Sequence, residues 1–99
     1  MRLSPQQAET IRRSVQRVFG PEARVWLFGS RVDDQARGGD IDLYIEAPGE
    51  ADDLLEREGR LYATLQRSLG EQRIDIVTRA PGAPMGPVHE AARHRGVPL

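Results

Sequence analysis

Apolar residues recur along the first twenty positions at the three-to-four residue spacing of an α-helix: Ala8, Ile11, Val15, Val18 and Phe19. Ser4-Pro5 is typical of a helix start and Gly20-Pro21 of a helix end. Residues 50–69 predict a second helix, because its leucines fall mostly on one side: Leu54, Leu55, Leu61, Leu65 and Leu69. Both helices therefore have one apolar face to bury.

Three shorter segments carry the apolar pattern of β-strands. They cover Arg24–Phe28, Asp40–Glu46 and Arg73–Arg79, and aromatic or β-branched residues are frequent in them. Residues 88–95 predict a short third helix, and residues 96–99 a tail or a short edge strand. The order α-β-β-α-β-α predicts an α/β (α+β) fold, with a small mixed β-sheet and helices packed on it.

Composition narrows the class of protein. The 99 residues are enough for a single small domain, residues 1–99. The formal net charge of −1 favours neither nucleic acid nor a membrane surface as partner, and the lack of Cys excludes disulfides and thiolate metal sites. No apolar run approaches the roughly 20 residues of a membrane span, and no signal peptide is evident. We therefore expect a soluble cytoplasmic domain.

Three carboxylates interrupt the apolar strands. Asp40 and Asp42 occupy alternate positions of the second strand, and Asp75 lies between two isoleucines of the third. Because strand side chains alternate, all three should lie opposite the buried Ile and Leu side chains. Strands are only about 4.8 Å apart, so the carboxylates would repel one another unless a divalent cation lay among them. We predict one or two Mg²⁺ ions bridged by Asp40 and Asp42, with Asp75 as ligand, base or both.

A Gly-Ser turn follows the first strand directly. Gly29 would let the backbone approach phosphates closely, and Ser30 offers N–H and hydroxyl donors to them. Arg31 or Arg37 would neutralise phosphate charge, since Arg binds phosphate bidentately. Each motif alone is an ordinary surface feature. Together they form an ordered series: a strand, the Gly-Ser turn, the strand with Asp40 and Asp42, a helix, and the strand with Asp75. This combination predicts metal-dependent chemistry on a nucleotide.

Several other conspicuous residues are expected to be structural. Trp26 and Tyr44 should pack in the interior, with Tyr44 on the carboxylate face. His89 and His94 should be exposed helix residues. The charged run of the second helix should be its solvated face, with a weak ion pair between Glu56 and Arg60: Asp52, Asp53, Glu56, Arg57 and Glu58.

The motifs Phe28-Gly29-Ser30, Asp40-Ile41-Asp42-Leu43 and Asp75 together resemble those of the DNA polymerase β-type nucleotidyltransferase superfamily. The short chain is similar to its minimal nucleotidyltransferases, and the resemblance covers nearly all of the sequence. It implies a fold like the polymerase β palm. It also implies ATP as substrate and two Mg²⁺ ions as cofactor, held by the three aspartates.

The resemblance also implies a partner. Minimal nucleotidyltransferases are commonly paired with an all-helical HEPN-domain protein, often as antitoxin to an RNase toxin. Some of them transfer AMP from ATP to a tyrosine of that toxin and silence it. We therefore expect a magnesium-dependent nucleotidyltransferase whose acceptor is docked by such a partner or by a homodimer surface.

Two alternatives stay open. Many relatives read Gly-Ser-Arg-Ala-Arg-Gly, with Ser before the first Asp, where this chain has Val32-Asp33 and Gly39. This departure motivates a non-catalytic antitoxin that neutralises a HEPN toxin by complex formation. The other alternative is a nucleotidyltransferase acting on a small molecule or an RNA end, although the chain has no clear basic stripe for direct nucleic-acid binding.

Overall fold

A computed structural model describes residues 3–29 and 40–99, with Asp40 described by its backbone alone. The helices are α1 (Pro5–Phe19), α2 (Ala51–Leu69) and α3 (Pro87–Arg95). The strands are β1 (Arg24–Phe28), β2 (Asp40–Glu46), β3 (Arg73–Arg79) and β4 (Val97–Pro98). The predicted elements are confirmed within one residue at each end, and the tail adds β4. None of the helices in the described ranges is long and apolar enough to cross a membrane.

The four strands form one mixed sheet in the order β3-β2-β1-β4. β1 runs antiparallel to both β2 and β4, whereas β2 and β3 are parallel. A parallel pair needs a crossover connection, and α2 supplies it. Within the described part of the chain, β3 is therefore an edge strand with β2 on one side only.

One face of the sheet, called the α1/α2 face, is buried under the first two helices. Its core combines buried residues from both helices and three strands: Ile11, Val15, Phe19, Val25, Leu27, Ile41, Leu43, Ile45, Leu54, Leu61, Leu65 and Ile74. The alternation predicted for β2 is thus confirmed. Leu55 departs from the leucine stripe and is 66% exposed, because one residue along a helix turns the side chain by about 100° from Leu54.

α3 packs on the opposite face of the sheet, called the α3 face. Trp26, Tyr44 and Ala92 are buried there, and the two aromatic rings stack with centroids 5.3 Å apart. The expectation that His89 is exposed was wrong. Its ring lies 5.6 Å from that of Tyr44, and its Nδ1 accepts the N–H of Gly86 at 3.0 Å. His89 is three residues before Ala92 and so shares its helix face.

The α3 face also holds a buried polar network around one carboxylate. The Tyr44 hydroxyl donates to Oε2 of Glu46 at 2.6 Å, and the Arg79 guanidinium donates to the same oxygen at 3.1 Å. Arg79 also donates to the carbonyl of Ala83, while Arg93 lies 3.6 Å from Glu46 Oε2. Burial, and then the bond to Glu46, raise the pKa of Tyr44. The hydroxyl therefore remains a proton donor at neutral pH, and the network ties α3 and β3 to β2.

Removing the buried Arg79 guanidinium should lower the free energy of unfolding far more than removing an exposed guanidinium. Arg79→Met would leave the Glu46 carboxylate with weaker partners, and we expect a loss of about 3 kcal/mol in unfolding free energy. Arg60→Met is the matched control, because Arg60 pairs with Glu56 at 2.9 Å in an exposed i,i+4 position. Its loss should stay below about 0.5 kcal/mol. Urea unfolding measures both, and equal losses would contradict this view of the network.

Candidate functional site

The sheet brings two of the predicted carboxylates side by side. Asp42 on β2 is the register partner of Asp75 on β3 and also of Phe28 on β1. Adjacent strands lie about 4.8 Å apart, and paired positions point to the same face. Asp42 is half-buried and Asp75 is exposed. Both side chains therefore start from neighbouring positions on the α3 face, as the strand alternation predicts.

The third predicted carboxylate is described only through its backbone. Asp40 is the first residue of β2 and is the register partner of Arg73. Ser30, Arg31 and Arg37 lie outside the described residues, so their predicted phosphate contacts stay predictions. Among the side chains that the structure describes, no group of three or more His, Asp or Glu residues could hold a metal ion. A metal at the Asp42–Asp75 pair would therefore take its further ligands from outside these side chains, and Asp40 is the predicted third carboxylate.

Gly29 places bare backbone against the carboxylate of Asp42. Its φ angle is +78°, a conformation that glycine adopts far more readily than other residues. A Cβ at this position would overlap Oδ2 of Asp42 and lie 3.0 Å from its Cγ. The close approach to phosphates predicted for Gly29 stays a prediction, and the group that its backbone approaches in the structure is the Asp42 carboxylate. Any side chain here would push Asp42 out of place.

An apolar floor adjoins the two carboxylates. Tyr44 and Val77 are register partners and lie two residues beyond Asp42 and Asp75 on the same strands. Phe28 and Val77 are partly buried against the Trp26–Tyr44 pair. Low-polarity surroundings strengthen the attraction between a carboxylate and a cation. The pair therefore lies at the boundary between a packed interior and solvent.

Arg73 is a charged neighbour of the site that was not singled out from the sequence. It is exposed on β3, two residues before Asp75 and so on the same strand face. This i−2 spacing was the signal that could have identified it. A guanidinium is suited to bind a phosphate, so Arg73 is a further candidate phosphate contact.

Alanine at Gly29 should destabilise the protein more than alanine at a glycine with open space around it. Gly82 is the matched control, with φ +88° and no atom within 4 Å of the position that a Cβ would take. Gly82→Ala should lose about 1–2 kcal/mol through the left-handed backbone alone. Gly29→Ala should lose about 1–3 kcal/mol more, because its Cβ collides with Asp42. Urea unfolding of the two variants tests this difference, and equal losses would show that the carboxylate yields without cost.

Comparison with known families agrees with this geometry. The nucleotidyltransferase domain family matches residues 8–91, which are 84 of the 99 residues. The match runs from α1 into α3 and includes Gly29, Asp42 and Asp75. Among curated proteins, none shows significant sequence similarity to the chain. Domains of the matched family generally use a nucleoside triphosphate and a divalent metal ion. The chain belongs to the nucleotidyltransferase domain family.

Proposed function

We propose that the chain is a magnesium-dependent nucleotidyltransferase that transfers AMP from ATP to a tyrosine of a HEPN-domain RNase toxin, and so acts as its antitoxin. Family membership supports nucleotidyl transfer in general. The observation that carries the chemistry is the register pairing of Asp42 with Asp75 beside Gly29. The motif resemblance supports ATP and the toxin partner. Such a role belongs in the cytoplasm.

The residues that would hold the metal are Asp40, Asp42 and Asp75. Carboxylate oxygens are the donors that Mg²⁺ prefers, and two of these carboxylates project from adjacent strands. When bound, Mg²⁺, most simply as two ions, lowers the pKa of the attacking hydroxyl and offsets phosphate charge. The Asp42–Asp75 pair fits this cofactor because two neighbouring like charges are stabilised by a cation between them.

The reaction itself is a displacement at phosphorus. The tyrosine oxygen forms a bond to the α-phosphorus of ATP. The bond from that phosphorus to the oxygen bridging the β-phosphate breaks, so pyrophosphate leaves and the hydroxyl proton is released. Asp75 is exposed on the edge strand and would receive the acceptor and its proton. Asp42 lies between Gly29 and Asp75 and so adjoins both the nucleotide side and the acceptor side.

The charge of α2 favours a protein acceptor over an RNA end. Four acidic residues of its first two turns lie on or near the solvated side of the helix: Asp52, Asp53, Glu56 and Glu58. They belong to the α1/α2 face, opposite the face that carries Asp42 and Asp75, and two of them, Asp52 and Glu58, line a groove at the end of β3. A polyanionic backbone would be repelled there. A polypeptide acceptor has no polyanionic backbone and avoids this electrostatic repulsion.

Calorimetric titration with ATP tests the nucleotide site in the isolated chain. The wild-type protein should bind ATP with Mg²⁺ and far more weakly without it. Asp42→Asn should weaken Mg·ATP binding at least tenfold, about 1.4 kcal/mol, because one carboxylate ligand is lost. Asp53→Asn is the matched control, since Asp53 is exposed in the first turn of α2. It should bind as the wild-type protein does.

The transfer step is then measured by intact mass of a co-expressed HEPN-domain partner. The wild-type chain should add the mass of AMP to a tyrosine and relieve growth arrest, and Asp42→Asn should do neither. Relief of arrest by Asp42→Asn would instead establish neutralisation by complex formation. Unchanged Mg·ATP binding in that variant would reject the proposed site.

A further inference from the structure

The outer edge of β3 brings the exposed Asp75 to the margin of the sheet. In the described part of the chain, β2 is the one strand that pairs with β3. Unpaired backbone groups along such an edge are a template for a further strand. We propose that the acceptor polypeptide docks as an added strand on this edge, with its hydroxyl-bearing residue in register with Asp75. The inference rests on the proposed function and names how its acceptor is bound.

A groove adjoins this edge at the end of β3, lined mainly from the α1/α2 face and also by Arg79 and His89 of the α3 face. It has a volume of about 480 Å³ between the first turns of α2 and the end of β3, and its apolar lining includes Leu54, Leu55, Ala80 and Pro84. Leu55, one of its lining residues, is 66% exposed. An aliphatic side chain from an added strand would fill the groove and cover Leu55.

The strand alternation fixes the spacing between the two anchor points. Thr78 lies on the α1/α2 face, since its hydroxyl donates to Glu58 of α2 at 2.8 Å. Asp75, three residues earlier, lies on the α3 face. An added strand therefore meets the two points with side chains three residues apart, a tyrosine opposite Asp75 and an aliphatic residue opposite Thr78. A spacing of two or four would place both side chains on one face.

Charge further defines the partner. Residues 50–60 contain five acidic residues and two arginines, a net charge of −3. Of the acidic residues, Asp52 and Glu58 line the groove itself. An acceptor segment with Lys or Arg beside its aliphatic residue is complementary to this rim. The predicted docking motif is thus a tyrosine and an aliphatic residue three positions apart, flanked by basic residues.

A second copy of this chain is a poorer occupant of the edge. Antiparallel pairing of two β3 edges about Ile76 would bring two acidic α2 surfaces toward one junction, and like charges oppose such an approach. The charges therefore favour a basic segment from a different protein.

Designed peptides test the spacing directly in the absence of nucleotide. Each labelled peptide carries one tyrosine, one leucine, flanking lysines and threonine elsewhere. Leucine stands three residues before or three residues after the tyrosine, and in control peptides two or four residues away. Fluorescence anisotropy should show one spacing-of-three peptide binding at least tenfold more tightly than the controls. Leu55→Arg should abolish the preference, and Val88→Arg should keep it, because Val88 is an exposed apolar residue on α3.

Two results of the peptide assay would overturn the docking proposal. One is equal binding of all the peptides, whatever their tyrosine–leucine spacing, at protein concentrations up to about 1 mM. The other is a spacing preference that survives Leu55→Arg. A wild-type dimer in light scattering that Leu55→Arg dissociates would also overturn the proposal, since a second copy would then occupy the edge. The ATP titration reports separately on the proposed function. Spacing-dependent docking without Mg·ATP binding would support the edge site and reject the chemistry. Mg·ATP binding without spacing-dependent docking would reject the edge site alone.

Discussion

The apolar contacts that fix the register of β2 against β3 determine where both carboxylates of the candidate site lie. Asp42 and Asp75 are register partners, so strand geometry alone keeps them close. The register is held by the isoleucine that precedes each aspartate. A one-residue shift of either strand would carry its isoleucine, Ile41 or Ile74, out of the core and turn its carboxylate into it. Burial of apolar side chains in the core thus keeps the Asp42 and Asp75 carboxylates close together.

The carboxylates at the two ends of the α3 face have different surroundings. At one end Glu46 is buried, and the protein itself compensates its charge through Tyr44, Arg79 and Arg93. At the other end Asp42 and Asp75 adjoin solvent and an apolar floor, and their carboxylate oxygens are the donors that a divalent cation prefers. α3 covers the first end and the aromatic pair. The face is therefore divided into a structural charge site and a candidate reaction site.

Most of the helices and strands were predicted from local sequence patterns. The helical stripe, the Ser4 cap and the alternation in β2 predicted element bounds within a residue, because each depends on neighbours in sequence. The same alternation placed Asp42 and Asp75 on one face. The contact between the Gly29 backbone and the Asp42 carboxylate was not predicted, because it depends on the pairing of β1 with β2.

Features that depend on distant contacts were not predicted. The side of the sheet that α3 covers could not be read from a nine-residue helix with a weak apolar pattern, so His89 was expected to be exposed. Five leucines in α2 did not reveal that Leu55 points outward. The edge position of β3, which exposes Asp75, depends on strand order. The roles of Ser30, Arg31 and Arg37 stay predictions, since they lie outside the described residues.

Paramagnetic broadening by Mn²⁺ with ATP, in place of Mg²⁺, would locate the metal site in the ¹⁵N-labelled protein. The amide signals of Gly29, Asp42 and Asp75 should broaden first, because the paired carboxylates hold the ion. Signals from the exposed acidic turn of α2 should persist at the same Mn·ATP concentration. Broadening centred on Asp52 and Asp53, with the Asp42 and Asp75 signals unchanged, would show that the paired carboxylates do not hold the metal and would contradict the account.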